Sequence, residues 1–242
     1  MKIELKKLLK ILELSSIDWL IDPVVINFDE DSITALNLDE ATTMMALIKI
    51  PVNVIEGYNS LGRLVFSEDI YKSLKKMFKG EEKVELDLKE DKIVIKGSRE
   101  TFRFPNQTLT REQIEPDIKQ TEYGNILAKP SVQAIYKVDY TIFRDLPYEE
   151  LIKLTFKQEG ILIETDVSGG VYEAWAKVLE IKQKPETDVV ATFDGDTLTT
   201  MADLVEAGVG WMIATESPLH ITSEDRVIDA KITYVIAPRV VE

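Results

Sequence analysis

The sequence predicts an α+β protein of two similar domains, each built from two β-α-β-β-β repeats. First, a pattern of strand, helix and three strands recurs four times, in units of roughly 50 residues. Second, the polar stretch at 105–125 has neither helical nor strand periodicity and is interrupted by two prolines, as a connector between domains would be. We therefore predict an N-terminal domain at 1–105, an interdomain connecting loop at 106–124 and a C-terminal domain at 125–242.

The first repeat begins with a predicted strand at Met1–Leu5 and a helix over Lys6–Leu14. Apolar residues recur at helical spacing in this helix, opposite its lysines. The three predicted strands that follow are VVINF, ITALNL and TTMMALIKI, at 24–28, 33–38 and 42–50. Asp29–Ser32 joins the first two strands. Pro51 ends the third, because proline cannot donate to a strand ladder.

The second repeat opens on the strand LVF at 64–66. Ser67 is a suitable helix N-cap, because Glu68 and Asp69 follow it in the first helical turn. The helix is predicted to run to Phe78, with Gly80 placed where a helix C-terminus takes up a left-handed conformation. Apolar and polar residues then alternate, which gives each hairpin one buried face. The strands are KVELDL at 83–88, KIVIKG at 92–97 and ETFRF at 100–104.

The third and fourth repeats follow the connector with the same order of elements. The third consists of VQAIYKV at 132–138, the helix DYTIFRDL at 139–146, and the strands LIKLTF at 151–156, ILIET at 161–165 and EAWAKVLEI at 173–181. The fourth consists of DVVATF at 188–193, the helix DTLTTMADLVEA at 196–207, and the strands WMIATE at 211–216, PLHITS at 218–223 and DAKITYVIAP at 229–238. Each repeat therefore predicts one helix beside strands that present one apolar face.

The composition is that of a globular protein, with 45% hydrophobic and 30% charged residues. No apolar run approaches the ~20 residues of a membrane-spanning helix. The absence of cysteine excludes disulfides and Cys-ligated zinc and suits a reducing cytoplasm. The net charge is −14, but residues 1–105 hold 16 basic and 19 acidic side chains, whereas residues 106–242 hold 13 and 24. Because phosphate binding depends on Lys and Arg, the net charge argues at first sight against a nucleic-acid partner, but the first half is close to balanced and its basic residues are clustered.

The predicted helix of the second repeat, IYKSLKKMFK, carries four lysines on one face, because their spacing of i, i+3, i+4 and i+7 follows the helical period. They are Lys72, Lys75, Lys76 and Lys79. The first helix repeats the arrangement more briefly with Lys6, Lys7 and Lys10. Like charges at this spacing destabilise a helix by roughly a few tenths of a kcal/mol per pair. Two helices at matching positions accept that cost, which indicates an anionic partner; a solvated lysine face is the alternative.

The remaining polar motifs do not predict an enzyme. His220 is the single histidine, and its strand pattern predicts a half-buried or surface position. Asp194–Asp196 resembles the start of a metal-binding loop, but it also opens a predicted helix for which Asp196 is an ordinary N-cap. Ser168–Gly170 lacks the phosphate-binding P-loop pattern. We predict no catalytic residue, no metal and no cofactor. The alternative is a metal-dependent α+β enzyme that uses the Asp194–Asp196 loop.

Four local motifs occur in order along the chain: ALNLDEATTMMAL at Ala35–Leu47, FRDL at Phe143–Leu146, SPLHI at Ser217–Ile221 and ITYVIAPRVVE at Ile232–Glu242. In this order they resemble the archaeal and eukaryotic sliding DNA clamp family, proliferating cell nuclear antigen (PCNA). The resemblance covers essentially the whole chain. It implies the DNA clamp fold, in which three subunits form a closed ring with helices lining its inner face. It also implies a processivity factor and docking platform for replication and repair enzymes, and not an enzyme.

The resemblance implies that the helices face duplex DNA and that the ring holds DNA without sequence readout. The expected DNA-facing residues are Lys6, Lys7, Lys10, Lys72, Lys75, Lys76, Lys79, Lys137 and Arg144. Subunits of the family join edge strand to edge strand, which also covers an aggregation-prone edge. The expected subunit interface comprises Arg99, Glu100, Thr101, Phe102, Arg103 and Phe104 on one subunit, and Tyr172, Glu173, Ala174, Trp175, Ala176, Lys177, Val178 and Leu179 on its neighbour.

The family also binds short peptide motifs of its partners in an apolar groove under the connecting loop. The corresponding residues here are Leu38, Asp39, Ile114, Pro116, Ile118, Pro218, Ile236, Ala237 and Pro238. The partners that the resemblance implies are double-stranded DNA, DNA polymerase, a clamp loader, flap endonuclease and ligase. The expected location is the cytoplasm, on the nucleoid of an archaeal-type cell, or the nucleus of a eukaryotic one.

The sequence departs from the family at the fourth helix. The basic residues expected there are missing, and Asp203 and Glu206 make the helix acidic. A heterotrimer in which other subunits supply positive charge would account for the departure, and so would a weaker grip on DNA. Homotrimer and heterotrimer both stay open at this point. A clamp-like interaction module that does not encircle DNA is a further alternative.

Overall fold

The computed structural model describes residues 1–107, 133–148, 150–205, 207–212 and 214–239, with Trp211 described by its backbone. The described residues of Met1–Glu40, Ala46–Pro116 and Glu224–Ile232 form a first compact unit. Those of Ala41–Met45, Asp117–Ser223 and Thr233–Glu242 form a second. No helix among the described residues is long and apolar enough to span a membrane. Most of the predicted connecting loop lies outside the described residues, so the predicted domain boundaries stay a prediction.

The first unit is built from two helices and two groups of antiparallel strands. The helices are α1 at Leu5–Ser16 and α2 at Glu68–Met77, with a short 3₁₀ helix at Val52–Val54. The strands are β1 at Lys2–Glu4, β2 at Val24–Phe28, β3 at Ser32–Leu38, β4 at Met44–Pro51, β5 at Gly62–Phe66, β6 at Lys83–Lys89, β7 at Lys92–Lys96 and β8 at Thr101–Pro105. One group has the order β1-β6-β7-β8, and the other has the order β4-β3-β2-β5.

The apolar stripes of the two helices lie in the core of the first unit. Leu8, Leu12 and Leu74 are fully buried, as the helical periodicity predicts. Strand β3 alternates half-buried and buried residues, whereas β2 is buried at four of its five positions. Burying such side chains stabilises the fold by roughly 25 cal/mol for each Å² of apolar surface removed from water. The lysine-bearing faces of α1 and α2 are therefore held by a packed layer beneath them.

Among the described residues of the second unit there are one α-helix, α3, at Gly195–Leu204, and a 3₁₀ helix at Tyr140–Asp145. Its strands are β9 at Ala134–Asp139, β10 at Leu151–Lys157, β11 at Gly160–Val167, β12 at Gly170–Trp175, β13 at Lys177–Gln183, β14 at Val189–Asp194, β15 at Ala207–Met212 and β16 at Leu219–Asp225; β17, at Ala230–Ile236, follows. One group of strands has the order β12-β11-β10-β14, and another has the order β13-β9-β15-β16.

The third predicted helix is shorter and tighter than the sequence indicates. Residues Tyr140–Asp145 form a 3₁₀ helix, where an α-helix over 139–146 was expected. The Asp139 carboxylate accepts hydrogen bonds from the backbone and hydroxyl of Thr141 at 3.1 and 2.6 Å, which fixes the start. Pro147 follows Leu146 and disfavours an α-helical conformation at that residue. Too few residues remain between these two points for a full α-helix.

The predicted strand EAWAKVLEI at 173–181 is two strands. Strand β12 pairs with β11, whereas β13 pairs with β9 in the other group of strands. The break falls at Ala176, which is buried and donates its backbone N–H to the Ile161 carbonyl at 2.9 Å. The sequence carries no Gly or Pro at this point, so periodicity alone predicts one continuous strand.

The fourth helix begins earlier than predicted. Its N-cap is Asp194, whose carboxylate accepts the backbone N–H of Thr197 at 2.9 Å. The predicted cap, Asp196, lies inside the first turn and accepts a hydrogen bond from the Tyr148 hydroxyl at 2.9 Å. Both aspartates favour a helix N-terminus electrostatically, so the sequence alone does not separate them. By contrast, Ser67 is the N-cap of α2, as predicted.

Candidate nucleic-acid interface

Helix α2 is capped at its N-terminus and packs its apolar side against the core, which leaves its lysines on the exposed side. The Ser67 hydroxyl accepts the Ile70 N–H at 3.4 Å. Acidic residues occupy the first turn and lysines the last turn, the arrangement that the helix dipole favours. Tyr71 and Leu74 are buried beneath. The lysines at 72, 75 and 76 lie on this helix, Lys79 follows its C-cap Phe78, and all four are exposed.

The four lysines of α2 differ in what holds their ammonium groups. Lys72 forms an ion pair with Glu68 at 2.8 Å, and this hydrogen bond raises the pKa of Lys72. Lys75 donates to the Tyr71 hydroxyl at 3.1 Å. In the part of the chain that the structure describes, neither Lys76 nor Lys79 forms an ion pair. The Lys72–Glu68 pair is exposed, so water and salt screen it.

Helix α1 contributes a smaller group of basic residues to the same unit. Lys7 is paired with Glu4 at 2.8 Å, and Lys10 lies 3.8 Å from the Asp225 carboxylate. Lys6 is exposed, and within the described ranges no carboxylate pairs with it. The two helices contact each other directly, because Tyr71 of α2 hydrogen-bonds to Glu13 of α1. The predicted lysines of the first unit therefore belong to two helices that contact each other.

The second unit offers little free positive charge on its helices. Arg144, predicted to face DNA, donates from Nε and Nη2 to the Ala202 carbonyl at 3.0 and 2.8 Å. Its Nε also lies 3.2 Å from the carboxylate of Asp203, whose side chain is 66% exposed. Lys137 stands on β9, not on a helix, and on the face opposite to the buried Tyr136 and Val138. The DNA-facing role of these two residues stays a prediction, and their positions do not favour it.

Arg144→Ala should lower the free energy of unfolding by about 1–2 kcal/mol, because the substitution leaves the Ala202 carbonyl at the end of α3 without its partner. Urea denaturation at neutral pH measures the change. Arg144→Lys is the matched control: it keeps the charge but lacks the two-pronged donor, so we expect it to recover only part of the loss. Wild-type stability in the alanine variant would contradict a structural role for Arg144.

Strands β8 and β12 are edge strands of their groups. On β8, Phe102 and Phe104 lie opposite the buried Ile95 and Ile93, and Arg103 points to the other face. On β12, Tyr172 and Ala174 lie opposite the buried Thr165 and Ile163, and Val171, Glu173 and Trp175 point to the other face. Val171 is 61% and Trp175 49% exposed. Apolar groups of this size on an open strand edge indicate a surface that pairs with another strand.

The remaining predicted interface residues lie before or at the start of β8, at the break after β12, or in β13. Arg99 and Glu100 lie in the bend before β8, where the Gly97 N–H donates to the Glu100 carbonyl at 2.9 Å. Thr101 opens β8 and is exposed, whereas Ala176 is buried at the break between β12 and β13. Val178 and Leu179 follow in β13, where Leu179 is 47% exposed. None of these positions is itself a test of assembly.

Lys177, another predicted interface residue, is engaged within its own chain. Its ammonium lies 2.8 Å from the Asp139 carboxylate. This hydrogen bond, together with those from Thr141, lowers the pKa of Asp139 to about 2. Because the carboxylate is already compensated, we expect Lys177 to stay with Asp139 and to add little to a contact with a neighbouring subunit.

The predicted partner-groove residues are described in part. Leu38 and Asp39 are half-buried at the end of β3 in the first unit. In the second unit Pro218 and Ile236 are buried, Ala237 and Pro238 are half-buried, and the Ala237 N–H donates to the Thr43 carbonyl at 2.7 Å. Ile114, Pro116 and Ile118 lie outside the described residues. The groove therefore stays a prediction.

The Asp194–Asp196 loop is occupied by structural contacts. Besides capping α3, Asp194 forms an ion pair with Arg239 at 3.3 Å. Burial alone would raise the pKa of Asp194, but hydrogen bonds from Thr197 and Arg239 hold that pKa below its usual value. Across the described ranges, no three acidic or histidine side chains converge as metal ligands would. The geometry therefore does not favour the metal-dependent alternative.

His220 is fully buried on β16, and not half-buried or exposed as its strand pattern suggested. Burial lowers the pKa of His220 to about 3. The imidazole is therefore neutral at physiological pH. Because the fold disfavours its charged form, protonation of the unfolded chain pulls the equilibrium toward unfolding as the pH falls.

Wild-type stability should fall by about 2 kcal/mol more between pH 7 and pH 5 than that of a His220→Gln variant. The sign follows from the lowered pKa: the contribution is complete above the unfolded value of about 6.5 and is lost as the pH falls toward the folded value. Denaturant unfolding at several pH values measures how the free energy of unfolding of each protein changes with pH. This pH dependence can be compared even if the variant is less stable overall. Equal slopes would show that His220 is not the buried titrating group.

Two residues that matter to this surface, Glu13 and Tyr71, have no place among the predicted site residues. Tyr71 is one helical turn before Lys75, so the i, i+4 spacing contains a signal for their contact. Its hydrogen bond to Glu13 spans two helices that are 58 residues apart, and no local pattern predicts such a pairing. Val171, the most exposed apolar residue of β12, was likewise missed because it precedes the predicted strand.

A comparison with solved structures finds PCNA chains along the full length of this protein. PCNA of A. fulgidus, bound to the C-terminal region of FEN-1, is 16% identical, with a TM-score of 0.74 over 100% of this chain and 98% of that one. PCNA from Thermococcus kodakaraensis is 12% identical, with a TM-score of 0.74 over 99% of both chains. The PCNA2–PCNA3 complex from Sulfolobus tokodaii is 16% identical, with a TM-score of 0.74 over 98% of both chains.

These likenesses show the fold of the chain. A scan against protein-family models and a search of curated protein sequences find no match. The predicted α+β architecture of the DNA clamp fold is confirmed, because full-length superposition on PCNA subunits requires the same succession of helices and strands. At 12–16% identity the residues themselves have diverged widely, so a function must be argued from this chain's own side chains.

Proposed function

We propose that this chain, which has the fold of PCNA subunits, is one subunit of a ring-shaped sliding DNA clamp and is not an enzyme. The observation that carries the proposal is the pair of adjacent helices, α1 and α2, which hold six lysines, with Lys79 just beyond α2, on a fold shared with PCNA over the whole chain. Lysines on a regular surface suit phosphate contacts that do not depend on base sequence. The acidic remainder of the chain would repel DNA from other surfaces.

The subunits of the proposed ring join through β8 of one copy and β12 of the next. An antiparallel register that places Arg103 opposite Glu173 would also set Phe104 opposite Tyr172 and Thr101 opposite Trp175. Charged residues then meet with opposite sign on one face, and aromatic residues meet on the other. Cross-strand pairs of this kind each contribute roughly 0.2–1 kcal/mol. The two edges of this chain therefore complement each other, which favours a ring that contains copies of it.

The composition of the ring is a separate part of the proposal. The PCNA2–PCNA3 complex of Sulfolobus tokodaii is an assembly of two different clamp chains. Helix α3 here carries exposed Asp203 and no lysine, so a more basic neighbour would increase attraction to DNA. Native mass spectrometry of the chain alone, and mixed with clamp chains of the same cell, distinguishes the two: a trimer alone supports the homomer, and a trimer formed only on mixing supports the heteromer. A monomer under both conditions would overturn the ring.

The proposed partners bind as peptides. A. fulgidus PCNA has been solved with the C-terminal region of FEN-1, and a short helical plug with aliphatic and aromatic anchors suits an apolar groove. We extend this to the polymerase, clamp loader, flap endonuclease and ligase of the same cell; Leu38 in the first unit, and Pro218 and Ile236 in the second, are the predicted contacts, each to be tested by itself. A fluorescent peptide that carries the motif measures binding. Pro218 and Ile236 are buried, so Leu38→Glu at the half-buried position is the variant of choice, and unchanged affinity would contradict this groove.

Encirclement is tested by topology. The assembly is loaded onto a nicked circular plasmid, separated from free protein, and the plasmid is then linearised. A sliding ring is retained on the circle and lost from the linear form, whereas an interaction module that binds without encircling DNA behaves alike on both. Retention that does not change on linearisation would contradict the clamp and support the module.

The metal-dependent alternative is tested at the same loop. Calorimetry with Mg²⁺ or Mn²⁺ should show no binding that depends on Asp194, because this carboxylate already accepts hydrogen bonds from Thr197 and Arg239. Specific divalent-ion binding that is lost in Asp194→Asn would revive the enzyme hypothesis.

A further inference from the structure

The side chain of Tyr71 joins the two lysine-bearing helices. Its hydroxyl donates a hydrogen bond to the Glu13 carboxylate of α1 and accepts one from the Lys75 ammonium of α2, at 3.1 Å. The ring is buried, and its centroid lies 5.0 Å from that of Trp19. The position of the phenol oxygen is therefore set by packing against Trp19 and by the hydrogen bond to Glu13 of α1, and not by the flexible lysine.

The chemistry of the phenol fixes the direction of these hydrogen bonds. Burial, and then the hydrogen bond to Glu13, raises the pKa of Tyr71, so the phenol keeps its proton at neutral pH. A protonated phenol that donates to Glu13 presents its lone pairs to Lys75. The Lys75 ammonium also lies 4.9 Å from the centroid of the Tyr71 ring, within the range of a cation–π contact. Lys75 thus has two attractive contacts with one residue.

The neighbouring lysines lack such contacts. Lys76, the next residue along α2, is exposed, as are Lys79 and Lys6. Among the described residues, none of these three lysines has a carboxylate or hydroxyl partner. Their ammonium groups can reach a phosphate without breaking an existing contact. A phosphate that approaches Lys75 must instead replace the Tyr71 oxygen and ring, and it is repelled by the Glu13 carboxylate behind them.

We propose that Tyr71 and Glu13 hold the Lys75 ammonium against the α1–α2 pair, so that Lys6, Lys76 and Lys79 are the residues that contact phosphates. Tyr71 is in this sense a positioning residue, since it acts on DNA only through Lys75. The assignment divides seven lysines that look equivalent in the sequence into contacting and held groups. Its second half rests on the proposed clamp function, whereas its first half concerns the protein alone.

Lysine footprinting of the intact protein tests both halves. The protein is treated briefly with an amine-acetylating reagent, with and without duplex DNA of mixed sequence at low salt, and each lysine is quantified by peptide mass spectrometry. Without DNA, we expect Lys75 to react several-fold more slowly than Lys76. With DNA, we expect Lys6, Lys76 and Lys79 to be protected and Lys75 to be unchanged. Lys49, exposed on β4, serves as the reference for reagent strength.

Two variants make the tether itself testable. Tyr71→Phe keeps the ring and its packing against Trp19 but removes the hydroxyl, and Glu13→Gln keeps the shape of the acceptor but removes its charge. In both, Lys75 should react as fast as Lys76 and become protected by DNA. The salt dependence of DNA binding should then steepen by about 1 in log–log slope for each additional phosphate that a lysine binds. Glu13→Gln keeps the experiment decisive if Tyr71→Phe does not fold.

The outcomes separate the two claims. Equal reactivity of Lys75 and Lys76 in the wild-type protein, or equal protection of both by DNA, would overturn the proposal. If DNA protects no lysine of α1 or α2, the DNA-facing surface of the proposed clamp is refuted, and the second half of the proposal with it. The tether would still be judged by the reactivities measured without DNA.

Discussion

Arg103→Glu should reduce the ring to its component subunits. In the proposed register the substitution sets two carboxylates opposite each other where β8 meets β12, and like charges at an interface cost several kcal/mol. Since each 1.4 kcal/mol is a factor of about ten in a dissociation constant, the assembly should weaken by about a hundredfold or more. Sedimentation velocity over a range of protein concentrations measures the shift. Arg103 is exposed, so far-UV circular dichroism should be unchanged.

The reciprocal variant provides the control. Glu173→Arg alone should weaken the assembly to a similar extent, and the two substitutions together should restore it, because the opposite charges then meet in reverse order. The double variant should also fail to join wild-type subunits. If every variant folds but the double variant does not regain the assembled mass, Arg103 and Glu173 are not opposite each other.

Replacing Lys72, Lys75, Lys76 and Lys79 together by alanine should abolish most of the attraction between the ring and DNA. Each phosphate that is no longer bound flattens the log–log dependence of binding on salt by about 0.9, and every copy of the chain in the ring is affected at once. Synthesis on primed circular DNA should yield shorter products with this variant, at salt concentrations that the wild-type clamp tolerates. The four side chains are exposed, so the variant should still fold, which far-UV circular dichroism checks.

A variant with the same charge change elsewhere separates local binding from net charge. Lys49, Lys89, Lys92 and Lys184 are exposed and lie on strands or loops. Their replacement by alanine should leave product length and salt dependence close to wild type. Equal losses in the two quadruple variants would mean that overall charge, and not the α2 face, governs attraction to DNA.

The secondary structure was predictable where the local spacing of apolar residues indicates which side chains are buried. Strand β2 falls at the predicted residues 24–28, and Ser67 caps α2 as predicted, because a hydroxyl followed by acidic residues satisfies free N–H groups within one turn. The break at Ala176 was not predictable, since the pairing partners of β12 and β13 are distant in sequence. The short 3₁₀ helix was missed because its length is limited by the residues on either side: Asp139 fixes its start and Pro147 follows its end.

The candidate surface was predictable in composition but not in its contacts. Helical spacing groups the lysines of α2, and Lys72, Lys75 and Lys76 are exposed on that helix. The resemblance to the clamp family adds Arg144 to the same set, although its guanidinium is bound to the Ala202 carbonyl. Sequence reports which residues share a face. Whether an ammonium or guanidinium on that face is free depends on acceptors brought from elsewhere in the chain, as Glu13 is to Tyr71.

The break between β12 and β13 at Ala176 has a consequence for how many copies the proposed ring contains. Strands β8 and β12 are different surfaces, so each proposed junction is head-to-tail. A head-to-tail contact does not by itself limit the number of copies that join. Closure occurs only when the rotation from one copy to the next divides a full turn; otherwise the same contact grows into a helical filament. Ala176 is where the chain leaves β12 for another group of strands, so it helps to set the direction in which that edge is presented. In the proposed ring, a substitution at Ala176 that spares the pairing residues should change the angle between successive copies, and electron microscopy would show open filaments in place of closed rings.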